Sequence, residues 1–496
     1  MKTLKYKFII LSAALMVVSG SCKKQLDINA DPSRLTPEQA NMAGLLASTI
    51  QFTSTSFFNV GQYGDTYPQY FAGSNAYEQN IDSYNPYGFD NIWESAYRDA
   101  MPNLKELIIR GETLGAPQYS GIGKLLMALN LMQSTDIWGD LPYSQAFQGP
   151  AIPAPKYDAQ QDIYNTSLKQ LLDGAIADLT KPVPTTPSLQ VGTGTTTTDL
   201  IYAGVIAKWI KAAYGARARY YIHLSVKDPS NLARAVADAN QSFSTVVTDP
   251  DRTGSLDLQL FYTLDRPSPW NVNLGAIAVA SKQHMPSYFI VNLMNGTGYY
   301  PGLIDPRLPK LFDNGGLPTY VGRPVGALST DPGVNLANCQ ITDKTYFGAK
   351  TSPVVILSYA EVQFVKAEAL FSTNKQGAYD AYMEGIKSNM VKLGVALTDI
   401  NTYTASPLIA KGATNLTITD IMLQKYIALF IQMETWTDMR RYQYSATVYP
   451  GLKPPLKDLL GPGVYVQRAK YPDNEPGRNP NVPQVANQAV KIWLFN

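Results

Sequence analysis

Apolar residues recur at helical spacing over most of the chain. Met42, Leu45, Leu46 and Ile50 follow Pro37 and Glu38 and predict a first helix. Residues 90–111 repeat the pattern with Trp93, Tyr97, Met101, Leu104 and Ile108. Residues 121–138 do so with Leu125, Leu129 and Met132, and residues 162–179 form a fourth helix. Residues 200–224 predict a long fifth helix, and residues 231–243, bounded by Pro229 and Pro250, a shorter sixth. Between about 249 and 353 the helical period disappears, and Gly, Pro, Asn and Tyr accumulate. That stretch holds Trp270, Phe289, Leu293 and Leu311, too many apolar anchors for a flexible tether, so it reads as a loop-rich insertion. Helices resume at Ser358, where Ser358 and Glu361 have the spacing of a capping box. Residues 376–393 and 419–441 complete the set. Several helices pair through short turns, the organisation of tetratricopeptide-type solenoids, although the usual Trp and Gly positions of that repeat are absent.

The N-terminus has a different pattern. Lys2, Lys5 and Lys7 precede an apolar or small-residue run over residues 8–18, too short to span a bilayer, and Ser19, Gly20 and Ser21 then lead to Cys22. These residues resemble a bacterial lipobox, which makes residues 1–21 a signal peptide, Cys22 the lipidated residue and residues 22–36 a tether. Several acyl chains anchor a protein firmly, at about 0.8 kcal/mol per buried methylene. Loss of residues 1–21 takes three of the 41 basic residues and no acid, which leaves 38 against 39 acidic residues. That balance, without a basic run, argues against nucleic acid as a partner. Of the 2 cysteines only Cys339 is then left in the body of the chain, so no disulfide within it is available. No later stretch reaches the ~18 uninterrupted apolar residues of a transmembrane helix.

Separated motifs then give the chain a family likeness. They are Cys22-Lys-Lys-Gln-Leu-Asp27, Asp136-Ile-Trp-Gly-Asp-Leu-Pro-Tyr143, Lys208-Trp-Ile210, Asp305-Pro-Arg-Leu308, Ser358-Tyr-Ala-Glu-Val362 with Lys366-Ala-Glu-Ala369, Lys425-Tyr-Ile-Ala-Leu-Phe430, Glu434-Thr-Trp-Thr-Asp-Met-Arg-Arg441 and Arg478-Asn-Pro-Asn-Val482. In this order and spacing the sequence resembles the SusD/RagB family of nutrient-binding outer-membrane lipoproteins, in its SusD-like branch, over essentially the whole chain. The resemblance implies a mainly α fold, a superhelix of four tetratricopeptide-like helix pairs packed against a loop-rich irregular half, with residues 37–496 as a single domain. It implies no enzyme and no cofactor. It also implies a lipid-anchored position at the cell outer membrane, facing outward as the lid of a SusC-like TonB-dependent transporter, to which oligosaccharides, or in some members peptides, are delivered. After Cys22 the first acid is Asp27, so an acidic surface-export signal is weak, and outward orientation comes from the family alone.

Carbohydrate binding needs flat apolar faces for pyranose rings and fixed polar groups for hydroxyls, which Tyr and Trp supply at low entropic cost. The chain has 32 Tyr, and two loop regions are dense in such groups. One contains Tyr63, Tyr67, Tyr70, Phe71, Tyr77, Asn80, Tyr84 and Tyr87, the other Tyr262, Arg266, Trp270, Tyr299, Tyr300 and Tyr320. In relatives the ligand platform is built from the corresponding places, so the resemblance assigns ligand contact to Tyr70, Tyr77, Asn80, Tyr84, Tyr87, Arg266, Trp270, Tyr299 and Tyr300. Arg266 or Arg323 could pair one ligand carboxylate. Trp93, Trp209 and Trp436 sit within helical patterns and read as core.

Two carboxylates facing each other across a substrate could hydrolyse glycosides, so a helical glycoside hydrolase is one alternative and a protein-binding repeat scaffold another. Asp136 and Asp140 flank a turn, and Glu434 and Asp438 lie one helical turn apart beside Arg440 and Arg441. That spacing points both acids the same way, which suits an internal ion-pair network better than opposed acid and nucleophile. His223 and His284 have no partner at zinc-ligand spacing, and no metal is expected. Residues 192–198 are Gly/Thr-rich but lack a phosphate-binding lysine and read as a loop.

Overall fold

The computed structural model describes residues 41–496 apart from 75, 193–197, 244–256, 277–283, 329 and 332–337, and apart from the side chains of 76, 77 and 276. Cys22, the signal peptide and the tether lie outside the described residues.

The Asn41 side chain accepts from the Gly44 amide at 2.6 Å and opens α1 (Met42–Gly64). Then come β1 (Phe71–Gly73), α2 (Ala76–Asp82), α3 (Asp90–Glu94), α4 (Met101–Thr113), α5 (Pro117–Trp138) and α6 (Lys169–Leu179). Wider π turns at Ser95–Ala100 and Ile163–Leu168 interrupt two of the helices that periodicity alone makes continuous. The long fifth helix begins later than its pattern suggests, as α7 (Ile206–Leu224). Asp199 is the cause. Its carboxylate holds the amides of Ile201, Tyr202 and Gly204 in a turn and accepts from Trp209 Nε1 at 2.8 Å, so residues 200–204 cannot join the helix.

α8 (Asn231–Gln241) precedes β2 (Leu258–Leu260), β3 (His284–Pro286), α9 (Tyr288–Met294) and α10 (Leu308–Leu311), the short elements of the irregular half. β4 (Val354–Leu357) leads into α11 (Tyr359–Leu370), α12 (Lys375–Lys392), α13 (Leu397–Ala405), α14 (Ile418–Ala428) and α15 (Glu434–Arg441). Neighbouring helices pack as pairs, α4 on α5, α7 on α8 and α11 on α12, and α8 and α14 both pack on α11. The fold is thus mainly α and tetratricopeptide-like, and its core is continuous from α1 to the last residues. Trp209 and Trp436 are fully buried in it, and Trp93 is buried as well.

The run 419–441 is two helices and not one. Ile431 turns through a left-handed backbone with φ of 59°, a costly conformation for a β-branched residue. Packing against α1 imposes it: a Cβ on Gly61 would lie 2.7 Å from the Ile431 carbonyl oxygen, and one on Gly64 would lie 2.5 Å from Met433 Sδ.

Two small antiparallel ribbons fasten the irregular half to the helices. β2 pairs β4 with Leu258 opposite Leu357 and Leu260 opposite Val354, and a bulge lies between Leu258 and Gln259. β1 pairs β3 with Phe71 opposite Pro286 and Gly73 opposite His284. The second ribbon joins the two aromatic-rich segments.

Candidate functional site

The ribbon of β1 and β3 continues into the start of α9. The Ser287 amide donates to the Tyr70 carbonyl at 3.0 Å, and the Ser287 hydroxyl donates to the Gln69 carbonyl while also capping α9. From the other side the Tyr288 amide donates to the Arg323 carbonyl, and the Arg323 amide donates to that of Pro286, both at 2.8 Å. Tyr288 is thereby fixed at the first position of α9 with 45% of its surface exposed.

A cleft of about 480 Å³ opens beside it. Gln69, Tyr288, Asn292 and Tyr299 line it, and the wall opposite carries Pro324, Pro450, Lys453 and Pro454. Tyr299 is half-buried and doubly held. Its hydroxyl donates to Asp420 Oδ1 at 3.3 Å, and Lys411, paired with the same carboxylate at 2.5 Å, lies 5.3 Å from its ring centre. Asp420 is itself fixed by a reciprocal capping box with Thr417 at the start of α14. Gly298 permits the turn that delivers Tyr299, because a Cβ there would lie 2.6 Å from the Asn292 carbonyl oxygen. Gln69, in a left-handed backbone with φ of 60°, donates from Nε2 to the Lys453 carbonyl at 2.6 Å and ties the cleft's two walls. The Asn292 amide and the exposed Lys453 ammonium make no side-chain hydrogen bond with the described residues and are free for a ligand. The phenol faces and prolines offer apolar contact surface, and the amide and ammonium offer hydrogen-bond donors.

Of the residues assigned ligand contact from sequence, Tyr299 lines this cleft. Tyr70, Tyr84, Trp270 and Tyr300 do not, and burial is the correction: each is 2% exposed or less. Tyr70 stacks on Tyr426 with ring centres 4.4 Å apart and donates to the Tyr426 carbonyl. Tyr84 meets Tyr67 edge-on, Trp270 meets Phe58 edge-on at 4.7 Å, and Tyr300 lies against the ring of Tyr299. Burial pushes the phenols of Tyr70, Tyr84 and Tyr300 well up, as expected of groups without access to water. These rings are the glue between the loops and the helices. Asn80 and Arg266 are exposed and Tyr87 is half-buried against Phe89, but none of the three lines the cleft. The side chain of Tyr77 lies outside the described residues. Arg323 is 1% exposed and donates to the carbonyls of Gly73 and Ala327, so it is a loop brace and not a ligand cation.

Tyr288, Asn292, Gln69 and Lys453 were not singled out from sequence. Tyr288 had a usable signal, since Ser287 after Pro286 is a helix-capping position and places the next residue on an exposed first turn. Lys453 had none, because the Pro-rich tail reaches the cleft only through tertiary packing.

The carboxylates form an internal network. Tyr164 donates to Asp136 Oδ1 at 2.5 Å, His223 lies 3.3 Å from Asp136 Oδ2, and its Nε2 is 2.6 Å from Glu434 Oε1. Asp438 pairs with Lys425 and Arg441, and Arg441 pairs with Glu368. All these groups are buried. Burial raises the carboxyl of Asp136, whereas for Glu434 the opposing pull of His223 and Arg219 outweighs burial and takes it down to about 2. Among the described residues, an open space of about 40 Å³ is lined by Asp136, Arg219 and Glu434, room for water and not for a sugar ring. Asp140 instead accepts from the Gln160 amide at 2.8 Å. No group of three His, Cys, Asp or Glu side chains among the described residues could hold a metal ion.

Comparison with known proteins places the fold. A family model described as starch-binding, associating with outer membrane, matches residues 31–472. A SusD/RagB family protein from Bacteroides thetaiotaomicron superposes with a TM-score of 0.74 at 23% identity, covering 92% of this chain and 99% of that one. A chitin-binding SusD homologue from Flavobacterium johnsoniae gives 0.72 at 21% identity, covering 92% and 98%. A protein titled chitin-binding gives 0.71 at 23% identity, covering 92% and 100%. No curated protein matches the chain. With the family match spanning most of its length, and with the helix-pair array and loop-rich half that its structural neighbours share, the chain belongs to the SusD-like family of starch-binding proteins that associate with the outer membrane.

Proposed function

We propose that the protein is a cell-surface lipoprotein that captures neutral oligosaccharide in the cleft between Tyr288 and Tyr299 and hands it to a SusC-like TonB-dependent transporter. The observation that carries the site is the ribbon of β1 and β3, which brings the two aromatic-rich segments together and leaves Tyr288 exposed beside a 480 Å³ cleft with a free amide and a free ammonium. Anchoring through Cys22 fits both the lipobox and the family's association with the outer membrane, and no helix among the described residues is long and apolar enough to cross a membrane. The printed titles of two structural relatives name chitin, and the family description names starch, so fragments of these two polymers are the first ligands to test. Binding must be reversible for handover, so affinity for a short fragment is modest. Calorimetric titration with oligomers of both polymers tests the reading: a saturable response with a negative heat-capacity change supports it, and a folded protein with no response to either counts against it.

A further inference from the structure

A larger cleft, of about 840 Å³, lies elsewhere between the helices and the irregular half and shares no lining residue with the first. Its floor is apolar, made by Val391, Leu393 and Val395 at the end of α12 and by Leu397 and Ile400 of α13. Aromatic rings edge it: Phe261 is 45% exposed, and Tyr262 is pinned to α1 by a hydrogen bond with the Ser54 hydroxyl at 3.0 Å.

The polar groups in this cleft are out of balance. Lys392 is neutralised by Asp257 at 2.7 Å. Lys310 and the hydroxyl of Tyr346 make no side-chain hydrogen bond or ion pair with the described residues, yet the Tyr346 amide donates to the Lys310 carbonyl at 2.8 Å and keeps the two side by side. Phe347 braces the Tyr346 ring edge-on at 4.9 Å. Lys344 is 80% exposed, and its nearest acid, Asp313, is 3.9 Å away. That acid is already engaged by the Gly315 amide and the Thr342 hydroxyl, at 2.9 Å each. Among the described residues, the Lys310 ammonium and the Tyr346 hydroxyl have no side-chain acceptor and Lys344 has a long, exposed pairing with Asp313, and these three donors border a space floored by apolar side chains.

We propose that this cleft is a second ligand site and that it takes an acidic saccharide, with a carboxylate accepting hydrogen bonds from Lys310 and Tyr346 and the sugar's apolar face on the floor from Val391 to Ile400. Lys344 at the mouth attracts the same charge over a longer range. The inference rests on the reading of the protein as a saccharide binder and adds a cleft bordered by two ammonium groups, Lys310 and Lys344, where the first carries one, Lys453.

The test uses the full-length chain in detergent micelles, titrated with trigalacturonate and with its methyl ester. The acid form is expected to bind, to weaken as salt rises, and to lose about tenfold or more in affinity with Lys310→Met, as removal of a charge-assisted hydrogen bond predicts. Tyr346→Phe removes one oxygen without disturbing the packing and is expected to give a smaller loss in the same direction. The ester binds weakly and is indifferent to Lys310→Met. The proposal is overturned if trigalacturonate does not bind, if acid and ester bind alike, or if its affinity falls with Tyr288→Ala and survives both Lys310→Met and Tyr346→Phe. Failure of the first cleft shows separately, as loss of neutral oligosaccharide binding by the unaltered chain.

Discussion

Arg219 and Glu361 meet as a two-point pair inside the core, Nε to Oε1 at 2.5 Å and Nη2 to Oε2 at 2.7 Å, and lock α7 to α11. Arg219 Nη2 also reaches the Ile356 carbonyl on β4 at 2.8 Å. The pair redirects the cap that Ser358 and Glu361 were expected to form: the Ser358 hydroxyl accepts from the Glu361 amide, but the Glu361 carboxylate goes to Arg219 instead of back to the Ser358 amide. Glu361→Ala takes the two-point partner from a buried guanidinium, leaving it the more distant Glu434 carboxylate at 3.6 Å, and is expected to cost about 3 kcal/mol of stability. Urea unfolding checks this, and the fraction that stays folded should bind ligand as the unaltered protein does.

Acid sensitivity follows from Glu434. Its folded value is about 2 against an ordinary 4.5, so it is a depressed carboxyl. Its contribution is present in full above pH 4.5 and is lost as the pH falls from there through about 2. Glu434→Gln is expected to lower stability at neutral pH and to flatten the fall in unfolding midpoint over that window. Denaturant midpoints measured at a series of acid pH values would show the two curves converging as the pH drops. Parallel curves would mean that the carboxylate does not titrate with folding.

Trp270 was expected to touch ligand and is instead a packing residue. Its ring tip would lie 2.6 Å from a Cβ placed on Gly61, so α1 and the irregular half meet there without room to spare. Trp270→Ala is expected to cost about 3–5 kcal/mol. Gly61→Ala should cost about 1–3 kcal/mol by overpacking. Thermal or urea unfolding reads both, and neither change should alter ligand affinity per folded molecule.

The helical half was legible where one face is apolar, as in α1, α4 and α6, whereas α5 and α11 are buried nearly all round and carry no one-sided stripe. Its interruptions were not legible. The turn before α7 depends on one carboxylate, Asp199, and the break between α14 and α15 depends on close approach to Gly61 and Gly64, neither of which leaves a periodic trace. Of the candidate cleft, the sequence marked the two segments and one lining residue, Tyr299. Aromatic density alone does not separate rings that face ligand from rings that fasten loops, and Tyr70, Tyr84, Trp270 and Tyr300 are of the second kind. What distinguishes Tyr288 is the strand pairing of residues 71–73 with 284–286, a contact between segments about 200 positions apart that only the folded chain shows.

The most direct test of the proposed capture site is a paired titration of the unaltered protein and Tyr288→Ala with neutral oligomers of starch and chitin, alongside their unfolding midpoints. Tyr288 is 45% exposed, so its removal should leave the midpoint nearly unchanged. Loss of an aromatic face worth about 1.5 kcal/mol or more predicts a drop of at least about tenfold in affinity. Equal affinity of the two proteins for an oligomer that both bind would contradict the account.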